Sequence, residues 1–230
     1  MGLTVKGFLE TSFLDWPGKV SSVIFLPGCN FRCPYCHNHQ LVCCSETLKT
    51  ISLSYIKKHL LDFKDWIDGI VISGGEPCIH QAHLKKLLEF FKKHDLLIKL
   101  DTNGSFPDVL QEVIDDKLID AVSMDIKAPL DDIRYSRCTG VVININKIKS
   151  SIEIIKKSLL PYEFRITFCP SLLSKDDLLE LAHQLKGIKK FTLQNFNPAD
   201  PLDSVLKEVI PLSDKELKFL KKSVDRIILN

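Results

Sequence analysis

The sequence predicts an α/β fold of parallel strands with outer helices, and two observations carry that prediction. Short apolar runs alternate six times with segments whose apolar residues recur at spacings of three and four. Polar and glycine-rich motifs fall at the C-terminal end of those runs, where parallel α/β folds place their chemistry. Right-handed crossovers can curl such a sheet into a barrel or a partial barrel. At 230 residues, 45% hydrophobic and 26% charged, the chain suits a single domain over residues 1–230, with no linker or low-complexity stretch.

The elements follow in order. "VSSVIFLP" (20–27) is a buried strand, followed by a helix near 53–66 on Leu53, Ile56, Leu60 and Phe63. "GIVIS" (69–73) is a strand running into Gly74-Gly75, and residues 83–94 place Leu84, Leu87, Leu88 and Phe91 on one helical face. "LLIKLDT" (96–102) is a strand, 107–117 a short helix, and "DAVSMDIK" (120–127) the next strand. Ile145, Ile148, Ile152, Ile155 and Leu159 repeat as a helix despite their β-branching. "EFRITFCP" (163–170) is a strand stopped by Pro170. The capping box Ser174–Asp177 opens a helix on Leu178, Leu181, Ala182 and Leu185. "KFTLQNF" (190–196) is the last strand, and Ser213 with Glu216 caps the final helix.

Charge and composition narrow the function. A net charge of +2 argues against nucleic acid as the partner, and the lysine pairs 57–58, 85–86 and 156–157 fall on helices as solvated faces. No apolar stretch is long enough to span a membrane. The start "MGLTVK" lacks a signal-peptide pattern and has Lys6 where a myristoylation motif needs Ser or Thr, so the expected location is the cytoplasm. Eight cysteines in a cytoplasmic chain point to metal or redox chemistry more than to disulfides.

Three of them stand in "CNFRCPYC" as Cys29, Cys33 and Cys36, directly after the first strand. Structural zinc takes four ligands, so a Cys3His site using His37 or His39 is one reading. Ferredoxin spacing does not fit. Three thiolates on a 4Fe–4S cluster leave one iron open to a substrate or cofactor, as a catalytic zinc keeps an open position. Glycines at "SGGEP" (73–77) let a main chain approach a ligand closely, although a plain turn is the simpler reading of Gly74-Gly75 alone.

The CxxxCxxC spacing, with Tyr35 before the last cysteine, resembles the radical S-adenosylmethionine superfamily. "DWPGK", "CPYCHN", "DTNG" (101–104) and "MDIK" (124–127) are similar in kind and order to the glycyl-radical enzyme activating enzymes, which include the activases of pyruvate formate-lyase and anaerobic ribonucleotide reductase. The resemblance implies a partial (β/α)6 barrel. It also implies one 4Fe–4S cluster on Cys29, Cys33 and Cys36, with S-adenosylmethionine on its open iron. Tyr35, Gly74, Gly75 and Glu76 would then border the cofactor. Asp101, Thr102 and Asp125 would surround it, with a monovalent cation near its carboxylate, and Asn103 would face the ribose. Lys127 and Arg165 would meet the carboxylate or a substrate peptide, with a structural Asp125–Lys127 pair as the alternative.

The implied partners are a glycyl-radical enzyme and a low-potential donor such as flavodoxin or ferredoxin. Asp15 and Lys19 are expected at a peptide-binding rim, or in a plain turn with Pro17 and Gly18. A radical enzyme for a small molecule, of the deazaguanine-synthase type, and a non-catalytic iron–sulfur or zinc protein stay open. The chain lacks the ferredoxin-like insert of the longer activases, so it resembles the short form. Its last strand ends in Asn195-Phe196-Asn197 where the pyruvate formate-lyase activase pattern has Tyr-His, which leaves the role of the two asparagines open. Cys43, Cys44, Cys78, Cys138 and Cys169 match no ligand position and are expected to be small buried hydrophobes.

Overall fold

The computed structural model describes residues 4–229. The N-terminal reading above therefore rests partly on residues 1–3, outside the described residues. A seven-stranded sheet runs in sequential order: β1 (Gly7–Ser12), β2 (Ser21–Leu26), β3 (Gly69–Gly74), β4 (Leu97–Thr102), β5 (Ala121–Asp125), β6 (Tyr162–Phe168) and β7 (Phe191–Asn195). From β2 to β7 every neighbour pairs in parallel, and these are the six predicted strands. The additional strand, β1, pairs antiparallel with β2. Its sequence, GFLETS, sits on an exposed edge and shows little apolar signal.

Sequential parallel order with right-handed crossovers puts the helices on one face and curls the sheet around the other. The curl stays open, because β1 and β7 stand at opposite edges of the order. The helices are α1 (His39–Cys43), α2 (Leu53–Asp62), α3 (Gln81–Lys92), α4 (Pro107–Asp115), α5 (Asp132–Thr139), α6 (Ile145–Lys157), α7 (Lys175–Gln184) and α8 (Asp214–Leu229). Both predicted capping boxes form, at Ser174 and at Ser213. The helix expected to reach residue 66 ends at Asp62, and the chain turns from there into β3.

The sequence pattern does not predict helix α5, because "DIRYSRCT" has no apolar period. Its ends are nevertheless written in the sequence: Asp131 caps the Arg134 N–H at 2.9 Å, and Gly140 closes it at φ 69°.

The two faces of the sheet differ in chemistry. Ile24, Leu26, Ile70, Ile72, Ile98, Leu100, Val122, Met124, Phe164 and Ile166 join the helices in one apolar core. Side chains alternate along a strand, so the residues between them face inward. These include Ser73, Lys99, Asp101, Ser123, Asp125, Glu163, Arg165, Thr167 and Gln194. A packed barrel core would be apolar here. This interior is polar and charged.

Candidate active site

At the C-terminal end of β2 the chain enters the cysteine loop. Phe31 and Tyr35 bury their rings and anchor it. Its main chain is held from several directions: Gly28 N–H donates to Leu41 O at 2.8 Å, Arg32 N–H to Thr139 O at 2.7 Å, and Pro34 O accepts from Asp203 N–H at 2.9 Å. The Arg32 guanidinium bridges the carbonyls of Cys29 and Phe31 at 2.7 and 2.8 Å. Cys29, Cys33 and Cys36 line a cavity of about 280 Å³ at the mouth of the curled sheet.

Burial pushes the Cys29 thiol up to about 11 and the Cys33 thiol up to about 12, and it raises Cys36 as well. Left free, all three stay protonated at neutral pH. Bound iron deprotonates a thiol outright, so the donor set fits an iron–sulfur cluster. The Lys127 ammonium, 6.0 Å from the Tyr35 ring centre, favours the thiolate form of all three.

Gly74 and Gly75 border the same cavity. Their immediate reason is contact with the cysteine loop. A Cβ on Gly75 would lie 1.8 Å from Gly28 O, and one on Gly74 2.3 Å from Leu26 N and O. Gly75 N–H donates to Leu26 O at 2.9 Å and Glu76 N–H to Gly28 O at 2.8 Å. The Gly75 N–H is thus spent on the end of β2 and the Glu76 N–H on the cysteine loop.

Glu76 differs from expectation: it is 0% exposed and does not line the cavity. Its carboxylate accepts from Cys78 N–H at 3.0 Å, the Thr102 hydroxyl at 2.8 Å and Asn103 N–H at 2.6 Å. It therefore clamps the end of β3 to the end of β4. Burial pushes its carboxyl up, against the pull of those three bonds. Thr102 borders the cavity with its hydroxyl committed to Glu76. Asn103 also lines the cavity, and its side-chain amide turns to the cysteine loop, 3.0 Å from Asn30 Oδ1 and 3.8 Å from Cys29 Sγ.

The remaining predicted residues form a ladder of charge on the inner face. Arg165 donates to Asp125 Oδ1 at 2.8 Å and reaches Asp101 Oδ2 at 3.3 Å. Lys127 donates to Asp125 Oδ2 at 3.2 Å. Burial pushes the Asp125 carboxyl up, but Arg165 and Lys127 outweigh it and hold the group well below the usual carboxylate range. Asp125 and Lys127 thus do form the ion pair weighed as a structural alternative, and both line the cavity.

Several expectations change. Asp15 and Lys19 precede β2, at the end of the sheet opposite the cysteine loop, so they form no rim to this cavity. Asp15 closes a turn by accepting from the Ser12 hydroxyl at 2.5 Å. Cys78, Cys138 and Cys169 are buried as expected, whereas Cys43 and Cys44 are exposed. Asn195 exchanges bonds with Leu212, and Asn197 accepts from Ala199 N–H; neither lines the cavity. Among the described residues no three His, Cys, Asp or Glu side chains converge as on a single metal ion. His39 pairs with Asp200 at 3.1 Å, and His37, which lines the cavity, stacks on Phe196 without converging on the cysteines as a fourth zinc ligand would. A cubane presents its irons at separate corners and asks for no such convergence.

Ser73, Thr167 and Gln194 also line the cavity, and Lys99 lies beneath it; the sequence reading passed over all four. The signal was the alternation in "LIKLDT", "FRITF" and "FTLQN", which marks one wet face on strands that otherwise read as buried.

Comparison with known proteins agrees with this geometry. The family model of the radical SAM superfamily matches residues 23–185. A Methanocaldococcus jannaschii protein, provisionally named a glycyl-radical enzyme activating enzyme, is 34% identical across 100% of this chain and 96% of its own. The pyruvate formate-lyase-activating enzyme of Staphylococcus aureus is 27% identical over 82% of this chain and 80% of its own. Among solved structures, a domain of pyruvate-formate lyase-activating enzyme from Bacteroides vulgatus superposes with a TM-score of 0.56 at 15% identity, over 70% of this chain and 96% of that one. A Streptococcus suis protein bound to its precursor peptide superposes with a TM-score of 0.62 at 18% identity, over 90% of this chain and 45% of that one. At those identities the structures speak to the fold alone. The family match over most of the length, and a relative aligned end to end, place this chain in the radical SAM superfamily, whose chemistry rests on a 4Fe–4S cluster and S-adenosylmethionine.

Proposed function

We propose that the protein is a glycyl-radical enzyme activating enzyme, with Cys29, Cys33 and Cys36 as the only protein ligands of its cluster. The observation that carries this reading is the end-to-end similarity to a relative bearing that name, in a chain whose three loop cysteines open onto a polar cavity. Cys29, Cys33 and Cys36 would hold the cluster and the cavity above them the S-adenosylmethionine, which together would supply the radical chemistry for hydrogen abstraction from a glycine of the partner enzyme.

The chain's own residues bind, orient and exclude water. The carbonyls at Gly74-Gly75 receive the methionine ammonium. Arg165 and Lys127, balanced by Asp125, receive its carboxylate or the incoming peptide. Phe31 and Tyr35 keep water from the cluster side of the cavity. The open side of the curled sheet admits the glycine loop. A low-potential donor such as flavodoxin or ferredoxin supplies the electron, and the reducing cytoplasm suits that chemistry. Among the described residues no helix is long and apolar enough to cross a membrane.

The test is anaerobic electron paramagnetic resonance of the reconstituted protein with candidate glycyl-radical enzymes. A doublet that disappears on Gly→Ala at the partner's radical site supports activation. Failure with every candidate, together with turnover of a small molecule, moves the protein to the small-molecule class.

A further inference from the structure

We propose that Lys99 is the built-in counter-ion of Asp101 and takes the place of the monovalent cation expected beside the S-adenosylmethionine carboxylate. The inference rests on the reading of the cavity as the S-adenosylmethionine site. Lysine is among the residues least often buried, yet Lys99 is 3% exposed, on the inner face of β4. Its ammonium donates to Asp15 O at 2.6 Å and meets Asp101 Oδ1 side-on at 2.7 Å, as a charge.

The other oxygen of Asp101 faces the Ser73 hydroxyl and the Arg165 guanidinium, each at 3.3 Å. Arg165 and Lys127 occupy both oxygens of Asp125. Lys99, Lys127 and Arg165 thus face Asp101 and Asp125, with Glu163 on the same face beside Arg165, so each carboxylate of the ladder already has a cation of the protein next to it. An alkali ion prefers hard, anionic oxygen that is still free. Asp101 Oδ1 accepts no hydrogen bond, but the Lys99 ammonium at 2.7 Å already stands where a cation would. Lys99 is therefore a positioning residue: it fixes the Asp101 carboxylate at the edge of the cavity. Its second bond ties that carboxylate to the turn at the far end of the sheet.

The experiment is isothermal titration of S-adenosylmethionine into anaerobically reconstituted protein. Potassium chloride is compared with tetramethylammonium chloride at equal ionic strength, so that screening is the same in both. The wild type is expected to bind equally in the two salts. Lys99→Met should bind on the order of tenfold more weakly in tetramethylammonium, with potassium restoring the loss. Lys99→Arg should bind equally in both salts. As a readout without cofactor, the melting temperature of the cluster-free Lys99→Met protein should rise with potassium, and that of the wild type should not.

Wild-type binding that tightens severalfold with potassium overturns the proposal, and this arm stands even where the Met variant fails to fold. Unchanged binding by Lys99→Met in both salts overturns it equally. No binding in any salt overturns the reading of the cavity itself, and this inference with it.

Discussion

Gly75→Ala tests whether the cofactor strand and the cysteine loop are joined by main-chain contact. The new Cβ would lie 1.8 Å from Gly28 O and 2.5 Å from Gly28 C. Non-bonded carbon and oxygen need about 3 Å or more, so the two backbones must separate by more than 1 Å. The obstacle is a backbone carbonyl rather than a side chain that could rotate away. The bonds from Gly75 N–H to Leu26 O and from Glu76 N–H to Gly28 O, at 2.9 and 2.8 Å, would both break. Leaving such groups unpaired costs about 1–3 kcal/mol each, so the variant should lose about 2–6 kcal/mol. For a chain of this size that lowers the melting temperature by roughly 4–24 °C.

The control is Gly187→Ala. No atom lies within 4 Å of its added Cβ, but its φ is +83°, so strain alone should cost about 1 kcal/mol. Melting of the cluster-free protein by circular dichroism gives the comparison, and iron content after reconstitution gives the consequence for the loop. A Gly75→Ala protein that melts with the wild type and binds a full complement of iron would refute the reasoning.

Replacing each of the eight cysteines by Ala should abolish iron binding at Cys29, Cys33 and Cys36 and leave it complete at Cys43, Cys44, Cys78, Cys138 and Cys169; an equal loss at Cys43, Cys44 or Cys78 would add a ligand. Asn103→Ala removes the amide 3.8 Å from Cys29 Sγ, and hydrogen bonds to cluster sulfurs are one control on potential, so a redox titration should find a more negative midpoint with iron content unchanged. Asp125→Asn should destabilise in a pH-dependent way. The carboxyl is held low in the folded state, because Arg165 and Lys127 outweigh the effect of burial. Its contribution is therefore complete above the unfolded value of about 4 and is lost as pH falls through the lower folded value. Urea unfolding should show a constant gap between wild type and variant from about pH 8 to pH 5, narrowing only in stronger acid; a gap that widens on acidification contradicts the assignment.

The parts legible in the sequence are those a local pattern encodes. Six strands and the predicted helices show as apolar runs and periods, and CxxxCxxC fixes three thiols to one loop by spacing alone. The capping boxes at Ser174 and Ser213 mark helix starts to the residue. Other features depend on partners distant in the chain. Glu76 reads as a ligand because it follows two glycines, and only the meeting of β3 with β4 shows that Thr102 and Asn103 take its carboxylate. Lys99 and Asp101 share one face of β4 by alternation alone, and only the folded chain brings Asp15 O to the Lys99 ammonium. Asp15 reads from sequence as close to the cysteines, because proximity in the chain hides the length of β2 between them. Strand β1 escaped notice because an edge strand needs no apolar face.

The cysteine loop is tied by Leu41, Thr139, Asp203, Gly75 and Glu76 through protein bonds that involve no iron. In a zinc finger the metal is the folding energy, and removing it dissolves the site. Here the ties remain when the metal goes. Exposure to oxygen should therefore cost this protein its cargo before its shape. The bleached molecule is then a receptacle with its three thiols in place, and recovery is a matter of reloading iron and sulfide rather than of refolding a chain.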